Sequence, residues 1–287
     1  MTLCTTGEIV AAAREGGHAV GAFNVITLEH VEAVVAGAER ARRPAIIQVS
    51  ENAVRFHGRQ VVPLARAAAA VAERSSARIA RHLDHVTEMD LLRESSDAGF
   101  SSVMFDAGAA PYDQNVAATR QAAQWAHGHG LWLEAELGYV GGKPQAPASA
   151  HADGVRTDPD EAAAFVAATG VDALAVAVGS SHAMTERTAS LDHDLVRVLA
   201  DRVPVPLVLH GSSGVPDAGL VSAVEAGMTK INIATHLNAA MTRAVREALV
   251  APELVDPRKY LGPGRAAVAA EVARLLDLLA HGVDSSA

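Results

Sequence analysis

PLVLHGSSGVPDAGLVSAVEAGMTKINIAT, residues Pro206–Thr235, holds one complete unit of the fold. Its apolar opening, Pro206–His210, reads as a buried strand. Gly211-Ser212-Ser213-Gly214 breaks that strand. Pro216-Asp217 then suits a first helical turn, where proline forfeits no hydrogen bond and an acid faces the positive end of the helix dipole. A helix is expected over Asp217–Ala226, and a new strand over Lys230–Thr235. Strand, helix and strand in so short a span imply parallel pairing through a right-handed crossover.

The same alternation runs outward from this unit. Further strands are expected at Ala19–Val25, Ala45–Ser50, Ala77–His82, Ser102–Asp106, Leu131–Leu137 and Ala173–Val178. Helical patterns follow at Leu28–Arg42, Arg59–Arg74, Ala118–His127 and Glu161–Thr169. Thr5 with Glu8 has capping-box spacing, so a short helix should precede the first strand. Asp158-Pro159-Asp160-Glu161 sets a cap ahead of a first-turn proline, and Asp192 suits another cap. An open doubly wound sheet also alternates in this way. Eight strands, with no Gly-x-Gly-x-x-Gly turn after the first, favour an α/β TIM (β/α)8 barrel. Residues 1–287 are read as a single domain, with Arg265–Ala280 as an extra C-terminal helix. Tyr139–Thr157, rich in Gly, Pro, Ala and Ser, reads as a long loop after strand five and a candidate lid.

Composition narrows the function. The chain has 287 residues, with 24 Lys and Arg against 33 Asp and Glu, a net charge of −9. That balance argues against a nucleic-acid partner, which would need cations to displace counterions. The lone Cys4 excludes an intramolecular disulfide and a Cys-rich zinc module. No apolar stretch reaches the length of a membrane span, and the N-terminus lacks a signal-peptide pattern. A cytoplasmic protein with a small-molecule partner is expected. Hydrophobic residues make up 49% and aromatics 3%, so Ala and Val carry much of the core.

In such a barrel the chemistry sits where strands end on the C-terminal face. Thirteen histidines are present, and three of them, His85, His182 and His210, follow three different strands. Three imidazoles with an open fourth position are the arrangement of a catalytic zinc site. Asp84 is either a hydrogen-bond partner of a ligand histidine or a general acid–base. Glu134 and Glu136 share one strand face, either as part of an ion pair or near a metal, and Asp106 carries the same two readings. Gly211–Gly214 and Asn232–Thr235 lie where barrels of this kind bind phosphate, although Gly and Ser also make plain turns. Lysines are few: Lys143, Lys230 and Lys259. Lys230 opens strand eight, which predicts a structural or exposed place at the barrel bottom and makes an imine-forming enzyme the weaker reading.

Several stretches together resemble the class II, zinc-dependent fructose- and tagatose-bisphosphate aldolases. They are GAFNV (Gly21–Val25), IIQVSE (Ile46–Glu51), HLDH (His82–His85), GFSSVMFDA (Gly99–Ala107), EAELGYVGG (Glu134–Gly142), TGVDALAVAV (Thr169–Val178), PLVLHGSSGVP (Pro206–Pro216) and KINIAT (Lys230–Thr235). The resemblance implies one catalytic Zn2+ on His85, His182 and His210, with room for a monovalent cation. Asp84 would be the acid–base. Asp106 and Glu136 would match an alternate or second metal position. Gly211, Ser212, Ser213, Asn232, Ile233, Ala234 and Thr235 would hold dihydroxyacetone phosphate, with Asn24 and the Ala183 backbone beside it. Ser50 would meet the aldehyde. A phosphorylated sugar substrate and a homodimer or homotetramer are also implied. Three positions depart from the family pattern. Lys143-Pro144 follows Gly141-Gly142 where an acid is usual, Glu186 stands where a cation is expected with Arg187 as its substitute, and His236 replaces an acid. These departures predict an altered substrate, not a bisphosphate. A non-catalytic zinc-binding barrel and a zinc hydrolase remain as alternatives.

Overall fold

The computed structural model describes residues 3–140, 156–251 and 253–280. Its eight strands are β1 (Val20–Asn24), β2 (Ala45–Ser50), β3 (Ile79–Val86), β4 (Ser102–Phe105), β5 (Trp132–Leu137), β6 (Ala173–Val176), β7 (Leu207–Leu209) and β8 (Met228–Ile233). They close into a parallel barrel in sequence order. The final pairing sets Ala22 of β1 beside Asn232 of β8.

Among the described residues, eleven α-helices accompany them: α1 (Thr6–Glu15), α2 (Leu28–Ala41), α3 (Glu51–Phe56), α4 (Val62–Ala72), α5 (Met89–Asp97), α6 (Tyr112–Gly128), α7 (Pro159–Thr169), α8 (His193–Arg202), α9 (Asp217–Glu225), α10 (Thr235–Ala248) and α11 (Pro257–Leu279). The expected caps form. Thr5 and Glu8 make a full capping box, Asp158 accepts from the N–H groups of Asp160 and Glu161, and Asp192 accepts from Leu195. Strand β3 runs on to Val86, past the expected His82, and β8 spans Met228–Ile233 instead of Lys230–Thr235. Among the helices, three starts differ from the sequence pattern. Helix α4 starts at Val62, because Gly58 and Arg59 adopt left-handed backbone. Helix α6 starts earlier, at Tyr112, after Pro111. Helix α11 starts at Pro257, continues through Pro263 and is much longer than expected. Helix α3, capped by Ser50, carried no periodic signal in its few residues. Residues 141–155 of the expected lid, Lys143 among them, lie outside the described residues.

Alternation along the strands divides the interior. Phe23, Ile47, Leu83, Leu133, Leu174 and Ile231 face outward into one apolar layer shared with the helices. Inside, the lower barrel is sealed by Ile9, Val10 and Ala13 of α1 against Val20, Ala22, Ile46 and Ala80. Above that plug the interior turns polar, with Gln48, His82, Glu134, Lys230 and His210 all fully buried. Helix α11 contacts α2, α9 and β1 as well as α10. It therefore fills the outer-ring place between α9 and α2. Gly37 makes the fit possible, since a Cβ there would come within 2.7 Å of Val272.

Candidate active site

Neighbouring strand residues normally face opposite ways. Asp84 and His85 are adjacent, yet both line one cavity at the C-terminal mouth. The cause is an irregularity in β3. Leu83 pairs with Val103 and Val86 with Phe105, so three steps on one strand match two on the other. The extra residue is taken up at His85, whose φ of 52° lies in the left-handed region. Such a bulge re-aims a side chain, and strain of this kind persists where the surroundings over-determine it.

The redirected ring meets two others. Ring centroids are 5.1 Å apart for His85 and His182, 4.9 Å for His85 and His210, and 5.7 Å for His182 and His210. With Glu136, these residues offer four ligand atoms all within 4.8 Å of one another. His210 Nδ1 lies 2.9 Å from Glu136 Oε2 but makes no aligned hydrogen bond. The two groups converge on a common point. Imidazoles with a carboxylate suit a divalent transition metal, so the residues present fit the ion that the sequence implies. Asp106 stands behind His85, with Oδ2 3.3 Å from Nδ1. That is the place of a group that orients a ligand.

Buried partners hold these groups from below. Glu134 Oε1 lies 2.9 Å from His210 Nε2, and its Oε2 lies 2.8 Å from Lys230 Nζ. Lys230 also donates to Asn232 Oδ1 at 2.8 Å, which fixes which way that amide faces. Asn232 Nδ2 has no protein partner, and Asn232 lines the cavity. Of the two places expected for Lys230, structural or exposed, it takes the structural one: it is fully buried. Its long side chain rises inside the barrel to reach Glu134. Burial pulls the His210 pKa down, but the neighbouring carboxylates of Glu134 and Glu136 outweigh it and raise it to about 9. Burial likewise pushes Glu134 up, and Lys230 with His210 holds it well below the usual range. His82 is lowered to about 3 by burial and by Lys230.

Asp84 is 3% exposed. Its Oδ2 accepts from Asn24 Nδ2 at 2.9 Å, and Gln48 Nε2 donates to Asn24 Oδ1 at 3.0 Å. Oδ1 has no hydrogen-bond partner. Burial raises its pKa, but the charges of His85, His210, His82 and Lys230 outweigh this and lower it to about 2. The group is thus a carboxylate at neutral pH. Sequence reading missed the Gln48–Asn24 support. The signal was available: a glutamine in the middle of the apolar strand Ala45–Ser50.

The cavity is also lined by Ser50, which pairs with Asp84 across β2 and β3, and by Ala183, Gly211, Ser213, Ala234 and Thr235. Gly211 has φ of 65°, and a Cβ there would come within 2.6 Å of Ser181. Ser213 Oγ accepts from the N–H of His236 at 3.2 Å and of Ala234 at 3.4 Å. The side chains of Ser212 and Ile233 do not line the cavity. Ser212 donates to the Asn232 carbonyl, and Ile233 sits in the outer apolar layer at 2% exposure. Arg187 does not supply the expected cation. Its guanidinium bonds the Val215 carbonyl and Asp217 instead. Among the described residues, no Lys or Arg lines this cavity.

A sequence model described as fructose-bisphosphate aldolase class-II matches residues 4–282. The probable fructose-bisphosphate aldolase of Bacillus subtilis (strain 168) is 39% identical over 271 residues, covering 93% of this chain and 94% of that protein. The fructose-bisphosphate aldolase of Geobacillus stearothermophilus is 38% identical, covering 95% of each chain. Among solved structures, the YdjI aldolase from Escherichia coli K12 superposes with a TM-score of 0.84 at 31% identity, over 96% of this chain and 97% of that one.

Proposed function

Because the chain belongs to the class II fructose-bisphosphate aldolase family of metal-dependent carbon–carbon lyases, we propose that it is a single-domain zinc aldolase. It would act on a ketose phosphate, with dihydroxyacetone phosphate or a related ketone as donor. The observation that carries this reading is the convergence of His85, His182, His210 and Glu136 beside the buried carboxylate of Asp84.

His85, His182 and His210 would hold the zinc ion, which would supply Lewis-acid stabilisation of negative charge on the donor. The chain's own groups do the rest. Asp84, as a carboxylate, takes the proton of the aldol hydroxyl in cleavage and returns it in synthesis. Asn24 holds the Asp84 carboxylate by one oxygen, leaving the other for the substrate. Asn232 presents its free amide N–H to the donor. The turn at Gly211–Ser213 and the start of α10 at Thr235 offer N–H and O–H donors to a phosphate group. Ser50 spends its lone pair on the Ala53 N–H at 3.2 Å, so its proton is available to the aldehyde oxygen.

The lack of cationic side chains around the cavity, among the described residues, supports a substrate with one phosphate over a bisphosphate. The reading includes a homodimer or homotetramer, checked by light scattering, and a cytoplasmic location. No described helix is long and apolar enough to cross a membrane.

The test is metal analysis together with cleavage of ketose 1-phosphates and 1,6-bisphosphates, with and without a chelator. The expected result is about one zinc per chain, chelator-sensitive cleavage and a preference for a 1-phosphate. Undiminished cleavage by metal-free protein would overturn the mechanism. Cleavage of fructose 1,6-bisphosphate at the rate of ordinary family members would overturn the substrate assignment.

A further inference from the structure

The charged side chains on the outer side of the mouth form one continuous chain. His236 Nε2 lies 2.7 Å from Glu271 Oε1. Glu271 also takes Arg274, with Nη2 at 2.6 Å. Arg274 Nη1 reaches Asp217 Oδ2 at 2.6 Å, and Asp217 Oδ1 takes Arg187 Nη2 at 2.5 Å. Arg187 closes the chain by donating to the Val215 carbonyl through Nη2 and Nε, at 2.7 and 2.9 Å. Arg187 lies in the loop between β6 and α8. Asp217 opens α9, and His236 lies in the first turn of α10. Only Glu271 and Arg274 come from outside these loops, on α11.

Isolated exposed ion pairs contribute little. This chain differs in two respects. Two of its members are partly buried, Glu271 at 19% and His236 at 26% side-chain exposure, while Arg274 and Asp217 are more open. Asp217, Arg274 and Glu271 each have partners on both sides, and forked arginine contacts fix angle as well as distance. Burial pushes the Glu271 carboxyl up, yet hydrogen bonds from His236 and Arg274 hold it down to about 2, so Glu271 stays ionised at neutral pH.

The loops so bound also touch one another. Ser213 takes the His236 N–H, the Ala189 N–H donates to the Gly214 carbonyl at 2.9 Å, and a Cβ on Gly214 would strike Met184. A shift in α11 is therefore passed to the turn that carries Ser213. Neither Glu271 nor Arg274 lines the cavity.

We propose that Glu271 and Arg274 are positioning residues for the anion end of the substrate. They hold the loops after β6, β7 and β8 in the register that lets Gly211, Ser213 and Thr235 meet one phosphate group together. The proposal rests on the aldolase reading for the phosphate-bearing substrate, and its test separates the two.

The probe is inorganic phosphate, titrated calorimetrically into the full-length, metal-loaded protein. Arg274→Met should weaken phosphate binding about tenfold and Glu271→Gln about threefold, the scale of a sub-ångström misplacement of donors. Arg274→Lys, which keeps the charge but loses the fork, should fall between Arg274→Met and wild type. Arg93→Met, which breaks an exposed pair with Asp90, should bind like wild type. Metal content should be unchanged throughout. In steady-state cleavage, KM for the ketose phosphate should rise in Arg274→Met while kcat holds. The proposal is overturned if both α11 variants bind phosphate like wild type, if phosphate and metal are lost together, or if wild type binds no phosphate. Should wild type cleave no ketose phosphate while Arg274→Met still weakens phosphate binding, the aldolase reading falls and the positioning role stands.

Discussion

The two halves of the mouth are built on opposite plans. On the β3–β5–β7 side, Asp84, His85 and Glu136 project from strands and His210 follows β7 directly, with buried groups locking them from beneath: Glu134 on His210, Lys230 on Glu134, Asn24 on Asp84; His182 alone comes from the loop after β6. On the β7–β8 side, the candidate contacts are backbone N–H groups and short hydroxyls on turns, braced from outside by charged side chains of the rim. Chemistry needs charge at fixed points, and strands supply fixed points. Anion binding needs several convergent donors, and a turn at a helix start supplies those with almost no side chain. The first half therefore depends on individual residues, the second on the placement of whole loops.

Asp84→Asn probes that difference most sharply. The amide keeps an oxygen for Asn24 but cannot take a proton. Cleavage should fall about 10²- to 10⁴-fold, with zinc content and phosphate binding unchanged, as read by metal analysis and calorimetry. Parallel loss of metal would mean that Asp84 serves the ligand set and not the proton.

Lys230→Met comes next. It leaves Glu134 buried beneath His210 without its cation. Breaking such a pair costs roughly 3–5 kcal/mol, to be read as a lowered denaturation midpoint. Combining it with Glu134→Gln should recover part of the loss, because both charges are then gone. The exposed Lys259→Met should stay within about 0.5 kcal/mol. An equal effect of Lys230→Met and Lys259→Met would show that the polar interior is not the anchor of the metal half.

The same contrast explains what could be read from the sequence. The eight strands and the Thr5, Asp158 and Asp192 caps were legible because they rest on local pattern and local hydrogen bonds. The meeting of His85, His182, His210 and Asp84 at one mouth was legible too, because charged and imidazole groups at strand ends stand out against an Ala- and Val-rich background. The bulge that turns His85 into the mouth was not legible, since one extra residue in a strand leaves no periodic trace. The burial of Lys230 depends on Glu134, a partner far along the chain. Arg187 is drawn off by Asp217, and Asp217 by Arg274 on α11. That link exists only because the barrel closes and α11 takes its place between α9 and α2. Sequence spacing carries no term for such closure.

Ser213→Ala should give the smallest effect, for reasons that test the second plan. Ser213 Oγ now accepts two backbone N–H groups, from Ala234 and His236, and keeps one proton to donate. Truncation removes that donor and loosens the turn, which weakens anion binding. It also releases the two N–H groups, which can turn to the anion themselves. The contributions oppose one another, and a single neutral hydrogen bond is worth about 0.5–1.5 kcal/mol. KM for a ketose phosphate should therefore rise only about two- to tenfold, with kcat and zinc content held. A loss as large as that of Asp84→Asn would mean that one hydroxyl, and not the placed loop, carries the anion.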